Sequence, residues 1–413
     1  MQVAVVGAGM VGVSCALALQ SKGLQVSLID RLPPGSETSH GNAGVLSTGS
    51  LIPFNHPALW RQLPALLRGR SAGFHYNPGY LLRQWGWAAR FLANARPAVF
   101  ARTVPALHAL ITQSRHLHQD WLAQAGASGR LRQDGWLYLY RSMDAWRAAA
   151  WARQICAEHG VAFESCEPAD LQALEPALKP VFAKAVWFKD SASVDDPGQV
   201  VRAYARLFVE RGGRLLQAEL ARVQREAGGA WSLLGPDASL GRFDRLVLAL
   251  GPFSKAFLEA QALMRLPMAF ERGSHLHFTP GPVALRRPVY DTAGGYVLSP
   301  MARGWRLSTG VELNEMHAPA PQAQLERAQA HARQALQMGP ALDAQPWLGS
   351  RPTLPDSRPM IGPCPGQPGL WLALGHQHIG FSTGPASGEL LASLMTGAVP
   401  FMDPAPFAPD RFG

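Results

Sequence analysis

Val3-Ala4-Val5-Val6-Gly7-Ala8-Gly9-Met10-Val11-Gly12, followed by a helix-forming stretch from Val13 to Gly23 and by Gln25-Val26-Ser27-Leu28-Ile29-Asp30, is the stretch on which the fold turns. Four apolar residues in a row suit a strand buried on both faces, as in a parallel sheet. The glycines follow at GxGxxG spacing: Gly7 permits a tight turn, Gly9 lets backbone approach a pyrophosphate, and Gly12 lets helix pack on strand. The N-terminus of the helix that follows offers free N–H groups and a positive dipole end to phosphate, with Met10 and Val11 in the expected cofactor-binding set. Asp30 ends the second strand, where a carboxylate can take ribose hydroxyls, with Arg31 beside it. Strand, turn, helix, strand and acid in this order predict a bound adenine dinucleotide. The motif does not say which one.

Outward from this unit, 413 residues suggest two domains or one large composite. A hydrophobic content of 47% against 16% charged residues describes a folded chain. The N-terminus enters a strand with no basic leader, and no apolar run is long enough to span a bilayer. The cysteines Cys15, Cys156, Cys166 and Cys364 form no CxxC pair, which fits a reducing cytoplasm better than a disulfide framework or a zinc site. The net charge of +9 is carried almost entirely by arginine. It fits either a compositional bias or contact with an acidic surface, and no nucleic-acid motif accompanies it. The expected location is the cytoplasm, with peripheral contact to the inner face of the cytoplasmic membrane as the added possibility.

After Asp30 a Pro- and Gly-bearing loop leads to Ser39 and to the small residues Gly41-Asn42-Ala43-Gly44, which suit a tight turn or the close approach of a flat ligand. From Leu59 to Ala125 the pattern is helical, with stripes at Trp60/Leu63/Leu66/Leu67, Leu81/Leu82/Trp85/Phe91/Leu92 and Leu107/Leu110/Ile111/Leu117/Trp121. The Trp- and Arg-rich part of it, Trp60 to Arg96, reads as core plus solvated charge, or else as a membrane-surface patch. Gly135–Tyr140 reads as a strand and Asp144–His159 as a helix. Asp196-Pro197 resembles an N-cap with Pro at the first helical position. Arg222–Leu234 suggests a hairpin, and Asp244–Leu250 a buried strand stopped by Gly251-Pro252. Short strands from Met268 to Val311 suggest an antiparallel sheet, and Gln322–Gln337 a helix. Parallel α/β signals at both ends and in the middle, with antiparallel signals between, predict two interleaved domains.

Two segments carry candidate chemistry. Trp347–Gly362 is a Gly/Pro-rich loop framing Arg351. Gly369–Gly380 is a strand entering a turn with Gly375, His376, Gln377, His378 and Gly380, followed by a helix bearing Gly384 and Gly388. His275 and His277 alternate on a strand and share a face, with packing the simplest reading. Glu271 is expected on the opposite face, and no set of metal ligands is completed there.

On Gly7–Gly12 with Asp30, Thr38-Ser39 before Asn42-Ala43-Gly44, Gly135–Tyr138, Asp244–Gly251, Gly349–Gly362 and Gly375–Gly388, the chain resembles the FAD-dependent D-amino-acid oxidase/dehydrogenase family, which includes bacterial D-amino-acid dehydrogenases, glycine oxidases and sarcosine oxidases. The Trp60–Trp121 segment resembles the D-amino-acid dehydrogenase branch most. The paired His376 and His378 resemble D-hydroxyproline dehydrogenases. The resemblance implies an α/β fold: a Rossmann-like FAD-binding domain (residues 1–55, 145–220, 240–262 and 340–413) interleaved with an antiparallel-sheet substrate domain (56–144, 221–239 and 263–339). It implies FAD, bound non-covalently, with Asn42-Ala43-Gly44 along the isoalloxazine, Gly375–Gly380 at its pyrimidine edge, and Gly251 in the cofactor set. Covalent attachment through His40 is the lesser alternative.

Arg351 falls where glycine oxidases bind the substrate carboxylate, a task that suits a guanidinium fork. The chain departs from the family at Pro300-Met301, where an arginine is common after the proline. It departs again at His378, where glycine oxidases carry a second arginine. Carboxylate binding is therefore assigned to Arg351 with His378, Tyr290 or Tyr296. The implied reaction is hydride transfer from Cα of a D-amino acid, favoured as a cyclic one such as cis-4-hydroxy-D-proline or D-proline, with electrons passed to a quinone or other carrier. An O2-using glycine or sarcosine oxidase, and a flavin-carrying electron-transfer subunit, are the alternatives.

Overall fold

Val3 to Val6 sit at the centre of a six-stranded sheet in the computed structural model, which describes residues 1–69 and 71–412. In space the sheet runs Arg214–Gln217, Gln25–Asp30, Gln2–Val6, Arg245–Leu248, Leu370–Leu374, Met360–Pro363. All neighbours are parallel except the last pair. The apolar run is continuous because both faces are covered. Val3 and Val5 enter a core shared with helices Met10–Ser21, Pro97–Gln124, Pro197–Glu210 and Gly380–Thr396. Ala4 and Val6 point the other way, into a core closed by the small antiparallel sheet of Arg222–Arg225, Trp231–Leu234 and Ser239–Phe243.

The first helix starts at Met10, earlier than the Val13 expected, because Gly9 serves as an extended N-cap. It packs on the C-terminal helix at very short range. A Cβ on Gly388 would lie 2.4 Å from the Ser14 carbonyl oxygen, and one on Gly384 2.7 Å from Met10 Cγ. Asp196 caps its helix as the sequence suggests, its side chain accepting the Gln199 N–H at 3.0 Å with Pro197 at the first turn.

A second, larger sheet runs Phe74–Tyr76, Val311–Leu313, Ala269–Phe278, Gly304–Thr309, Tyr296–Met301, Val289–Asp291, Trp136–Tyr140, Lys184–Phe188, Phe163–Cys166, with Trp347–Thr353 paired to Ala269–Phe278 as well. One face packs on helix Gln322–Ala335. The long strand Ala269–Phe278 organises this sheet, because it carries three partner strands along its length.

The interleaving is finer than the boundaries expected from the sequence. Phe163–Cys166 and Lys184–Phe188, expected in the dinucleotide domain, pair into the second sheet, as does Trp347–Thr353. Arg222–Leu234, expected in the substrate domain, covers the first sheet instead, and the helix Pro97–Gln124 packs against the helical face of that sheet. The cause is strand pairing across long sequence separations, which local patterning does not encode. Two local readings also change. Asp144–His159 is two helices that meet at Ala149, and a short strand, Phe74–Tyr76, interrupts the helical segment after Leu67. Among the described residues no helix is long and apolar enough to cross a membrane.

Candidate active site

A cavity of about 1040 Å³ starts at the carboxyl ends of the parallel strands and continues along the open face of the second sheet. Ligands bind outside the carboxyl ends of strands in open α/β sheets because helix N-termini and Gly-rich turns gather there. Gly7, Gly9, Met10, Val11, Asp30, Arg31 and Ser39 line one end. Gly7 has φ +106°, and a Cβ there would stand 2.3 Å from the Ala249 carbonyl oxygen. A Cβ on Gly12 would stand 1.7 Å from the Gly7 oxygen, so Gly12 sits behind the loop and sets its closeness to the helix. Ser39 Oγ accepts the Met10 N–H at 3.0 Å. Asp30 braces the glycine loop, accepting from the Ala8 N–H at 2.5 Å and the Leu32 N–H at 2.9 Å. Arg31 pairs with Glu37 at 3.0 Å and covers the Phe253 ring. Gly251, at φ +54°, lines the same end.

The middle of the cavity is bounded by residues 40–44 and 375–380. Asn42 Oδ1 accepts the Gly44 N–H at 2.7 Å, closing the tight turn that Gly44 makes at φ +74°. This turn is pinned to the second sheet. Arg306 Nη1 donates to the carbonyls of His40 at 2.8 Å and Asn42 at 2.6 Å, and Ser299 Oγ donates to that of Ala43 at 2.7 Å. Arg306 is itself aimed by His277 Nε2 at 3.1 Å, and His277 Nδ1 meets Asp343 at 2.8 Å. The donor order makes His277 neutral and gives it a structural task, while His275 stacks on Trp347. Arg306 and Ser299 were missed from the sequence. An arginine inside a strand buried along its whole length is a signal that could have found the first.

Opposite this turn, Gly375 takes φ +77° and Gln377 φ +51° before the helix begins at Gly380. In neither this helix nor Met10–Ser21 does the N-cap residue supply a side-chain cap, Ser39 from a separate loop taking only the Met10 N–H, and both N-termini line the cavity. Ser387 Oγ donates to the Thr383 carbonyl at 2.9 Å, so His376 Nε2–H donates to Ser387 at 2.9 Å. Burial pushes His376 down to about 3 and keeps it neutral. His378 is pushed down to about 3 as well, by burial and then by the Arg351 charge. It stacks on Phe54 at 4.5 Å. His378 Nδ1 and Gln377 Nε2 are buried without hydrogen-bond partners.

At the far end lie Arg351, Tyr138 and Tyr290. The Arg351 guanidinium, with five donors, makes one weak bond, from Nη1 to the Gly310 carbonyl at 3.4 Å. It runs across Gly273, where a Cβ would stand 2.5 Å from Nη2. Glu271 is the cross-strand partner of Arg351 and lines the same wall. It therefore shares the face of Gly273 and His275; the expectation of an opposite face fails on the parity of the strand. Tyr296 corrects a second expectation. Tyr290 pairs with Val297 and both face the cavity, whereas Tyr296 pairs with Asp291 and enters the core beneath the sheet. Met301 does not line the cavity; its Sδ methyl packs under Gly44.

Two helix N-termini whose N-cap residues supply no side-chain cap, a glycine loop that side chains would fill, and unpartnered polar atoms on a turn between them fit a long cofactor with an anionic centre and a polar ring. Comparison with known proteins identifies it. Residues 2–394 match the family model DAO, FAD dependent oxidoreductase, and the chain belongs to that family. The protein is an oxidoreductase whose cofactor is FAD. Among curated relatives, the D-amino-acid oxidase of Bradyrhizobium diazoefficiens is 28% identical, over 99% of this chain and 98% of its own. A D-amino acid dehydrogenase of Cereibacter sphaeroides is 29% identical over 100% and 95%. Of solved structures, glycine oxidase from Geobacillus kaustophilus superposes with TM-score 0.77 at 20% identity, over 99% of this chain and 98% of that one. L-proline dehydrogenase from P. horikoshii gives TM-score 0.75 at 18% identity, over 100% and 97%. These likenesses bear out the α/β fold with an interleaved antiparallel sheet.

Proposed function

From family membership and the far wall of the cavity, we propose that the chain oxidises a D-amino acid, a cyclic one such as cis-4-hydroxy-D-proline or D-proline being favoured. The observation that carries this is Arg351: a cavity-facing guanidinium with four of its five donors unbonded, in a far end lined also by Tyr138, Tyr290, Val297 and Glu271. Such a group asks for a carboxylate ligand. The aromatic and aliphatic part of that lining suits a compact ring, and the His376/His378 pair resembles D-hydroxyproline dehydrogenases. The dehydrogenase and oxidase names of the relatives support the amino-acid class.

FAD, when bound, supplies the ring that takes a hydride from substrate Cα. In this reading Gly7, Gly9, Met10, Val11, Asp30, Arg31 and Ser39 hold its adenine half and pyrophosphate without a covalent link, Gly12 acts from behind by keeping the loop close to the helix, and Gly251 adds to that end. Asn42–Gly44 and Gly375–Gly380 hold its ring. Arg351 fixes the substrate carboxylate and so aims Cα, which supplies orientation rather than acid or base strength. Neutral His378, beside Arg351, offers an uncharged donor to ring or substrate, and Tyr290 walls the substrate. Anaerobic mixing of the holoenzyme with cis-4-hydroxy-D-proline, D-alanine, sarcosine and glycine tests this. The cyclic D-amino acid should bleach the visible flavin band fastest. Bleaching by none of the four would sink the reading.

The electron acceptor in this reading is a quinone or another carrier at an acidic membrane surface. Trp60, Leu67, Leu82 and Trp85 are exposed around the helices whose inner faces line the cavity mouth. No Asp or Glu stands between Glu37 and Asp120, while Arg61, Arg68, Arg83 and Arg90 do. Exposed apolar side chains interspersed with arginine along the chain suit the boundary of an anionic bilayer. Reoxidation of the reduced flavin by a soluble quinone but not by air is the expected result.

A further inference from the structure

The far wall of the cavity holds a second charged group that the reaction above does not use. Glu271 lies directly across the strand pair from Arg351. Cross-strand neighbours on one face stand about 5 Å apart at Cβ. Arg351 leans along the diagonal, over Gly273 towards Gly310, and forms no ion pair with the Glu271 carboxylate. Glu271 is 2% exposed, lines the cavity, and its Oε2 has no hydrogen-bond partner. A buried carboxylate oxygen left bare costs on the order of 1–3 kcal/mol unless a ligand satisfies it. The neighbouring charged or titratable groups are few: Arg351 on the partner strand with the Thr353 hydroxyl, and Tyr80, whose phenol accepts the Phe270 N–H at 2.9 Å. The nearby Arg272–Glu312 pair belongs to the other face of the strand.

An amino acid carries its ammonium one carbon from its carboxylate. A carboxylate held on Arg351 therefore keeps the ammonium within a few ångströms of the wall that carries both Arg351 and Glu271. Resting on the amino-acid reading above, we propose that Glu271 takes the proton of the substrate ammonium, so that the amine beside Arg351 is neutral when it is oxidised. One N–H bond breaks and one O–H bond forms on Glu271. The nitrogen keeps the electron pair that then supports hydride loss from Cα, and the proton leaves Glu271 to water after product departs. Burial pushes the Glu271 carboxyl up to about 7 against the pull of Arg351, which suits a proton acceptor working near neutrality.

The test compares wild-type and Glu271→Gln holoenzymes, both checked for FAD by their visible spectra. Wild-type kcat/KM should fall as pH drops through about 7. The variant should lose that limb and follow the free-amine fraction instead, down about 100-fold at pH 7 and recovering toward pH 10. Propanoate, a carboxylate with no amine, is titrated alongside by its perturbation of the flavin band. It should bind the variant at least as tightly as wild type above pH 7, because the Glu271 charge no longer repels it. Variant kcat/KM within twofold of wild type across this range overturns the proposal. So does parallel loss of activity and propanoate binding at every pH, which would make Glu271 a prop for Arg351. If no amino acid reduces the wild-type flavin, the functional reading itself has failed, whereas reduction of wild type with an unaltered variant removes only Glu271.

Discussion

Glu271→Gln also predicts a pH-dependent gain in stability that needs no substrate. The carboxyl, at 4.5 when exposed, is pushed up to about 7 by burial in the folded chain. A displacement of that size corresponds to about 3 kcal/mol between its two protonation states. The sign follows from linkage. Below pH 4.5 the group is protonated in folded and unfolded chain alike and costs nothing. Between about 4.5 and 7 the unfolded chain ionises while the folded chain keeps its proton, so stability falls as pH rises. Above 7 the full cost stands. Glutamine is uncharged throughout, and any packing cost of its amide is the same at every pH. The gap between variant and wild type should therefore move by about 3 kcal/mol in favour of the variant from pH 4.5 to 8. For a chain of 413 residues this is about 3–4 °C of thermal midpoint. Thermal scans of the apoproteins at several pH values read it directly. A gap constant with pH would show that Glu271 ionises normally, and would remove the physical basis for its role as proton acceptor.

Three further outcomes follow from the geometry. Arg351→Lys should keep FAD but raise KM for the amino acid roughly 10- to 100-fold, since a point charge replaces a two-pronged donor; an unchanged KM in steady-state assays would take Arg351 out of carboxylate binding. Gly12→Ala places a methyl 1.7 Å from the Gly7 oxygen, so the purified protein should have lost most of its flavin, read as the ratio of visible to ultraviolet absorbance; full flavin content would refute the tight loop. Replacing exposed Trp60 and Trp85 together by Ser should reduce binding to anionic vesicles several-fold at low salt while leaving quinone-free flavin reduction unaltered. Wild-type binding should itself weaken as salt is raised, and absence of any vesicle binding by wild type would count against the membrane-surface reading.

The sequence alone determined what depends on neighbours along the chain. The apolar run at Val3–Val6, the glycines at 7, 9 and 12 and Asp30 specify one strand–turn–helix–strand unit, because buried strands, tight turns and helix starts each have local residue requirements. The Asp196 cap, the Gly375 turn and the strand at Trp136–Tyr140 were legible for the same reason. Tertiary structure alone decided which of these pieces meet. The sequence offered Tyr290 and Tyr296 as equal candidates; only the hairpin register, with Tyr290 opposite Val297 and Tyr296 opposite Asp291, gives Tyr290 the cavity and Tyr296 the core. Lys184–Phe188 changed layers because it pairs with Trp136–Tyr140, and it carries Phe163–Cys166 with it as the next strand. The Arg306 clasp on His40 and Asn42 spans some 260 residues. Glu271 and Arg351, eighty residues apart, became neighbours through the register of two strands. Register is set by summed burial over whole strands, a quantity that no single stretch of sequence carries.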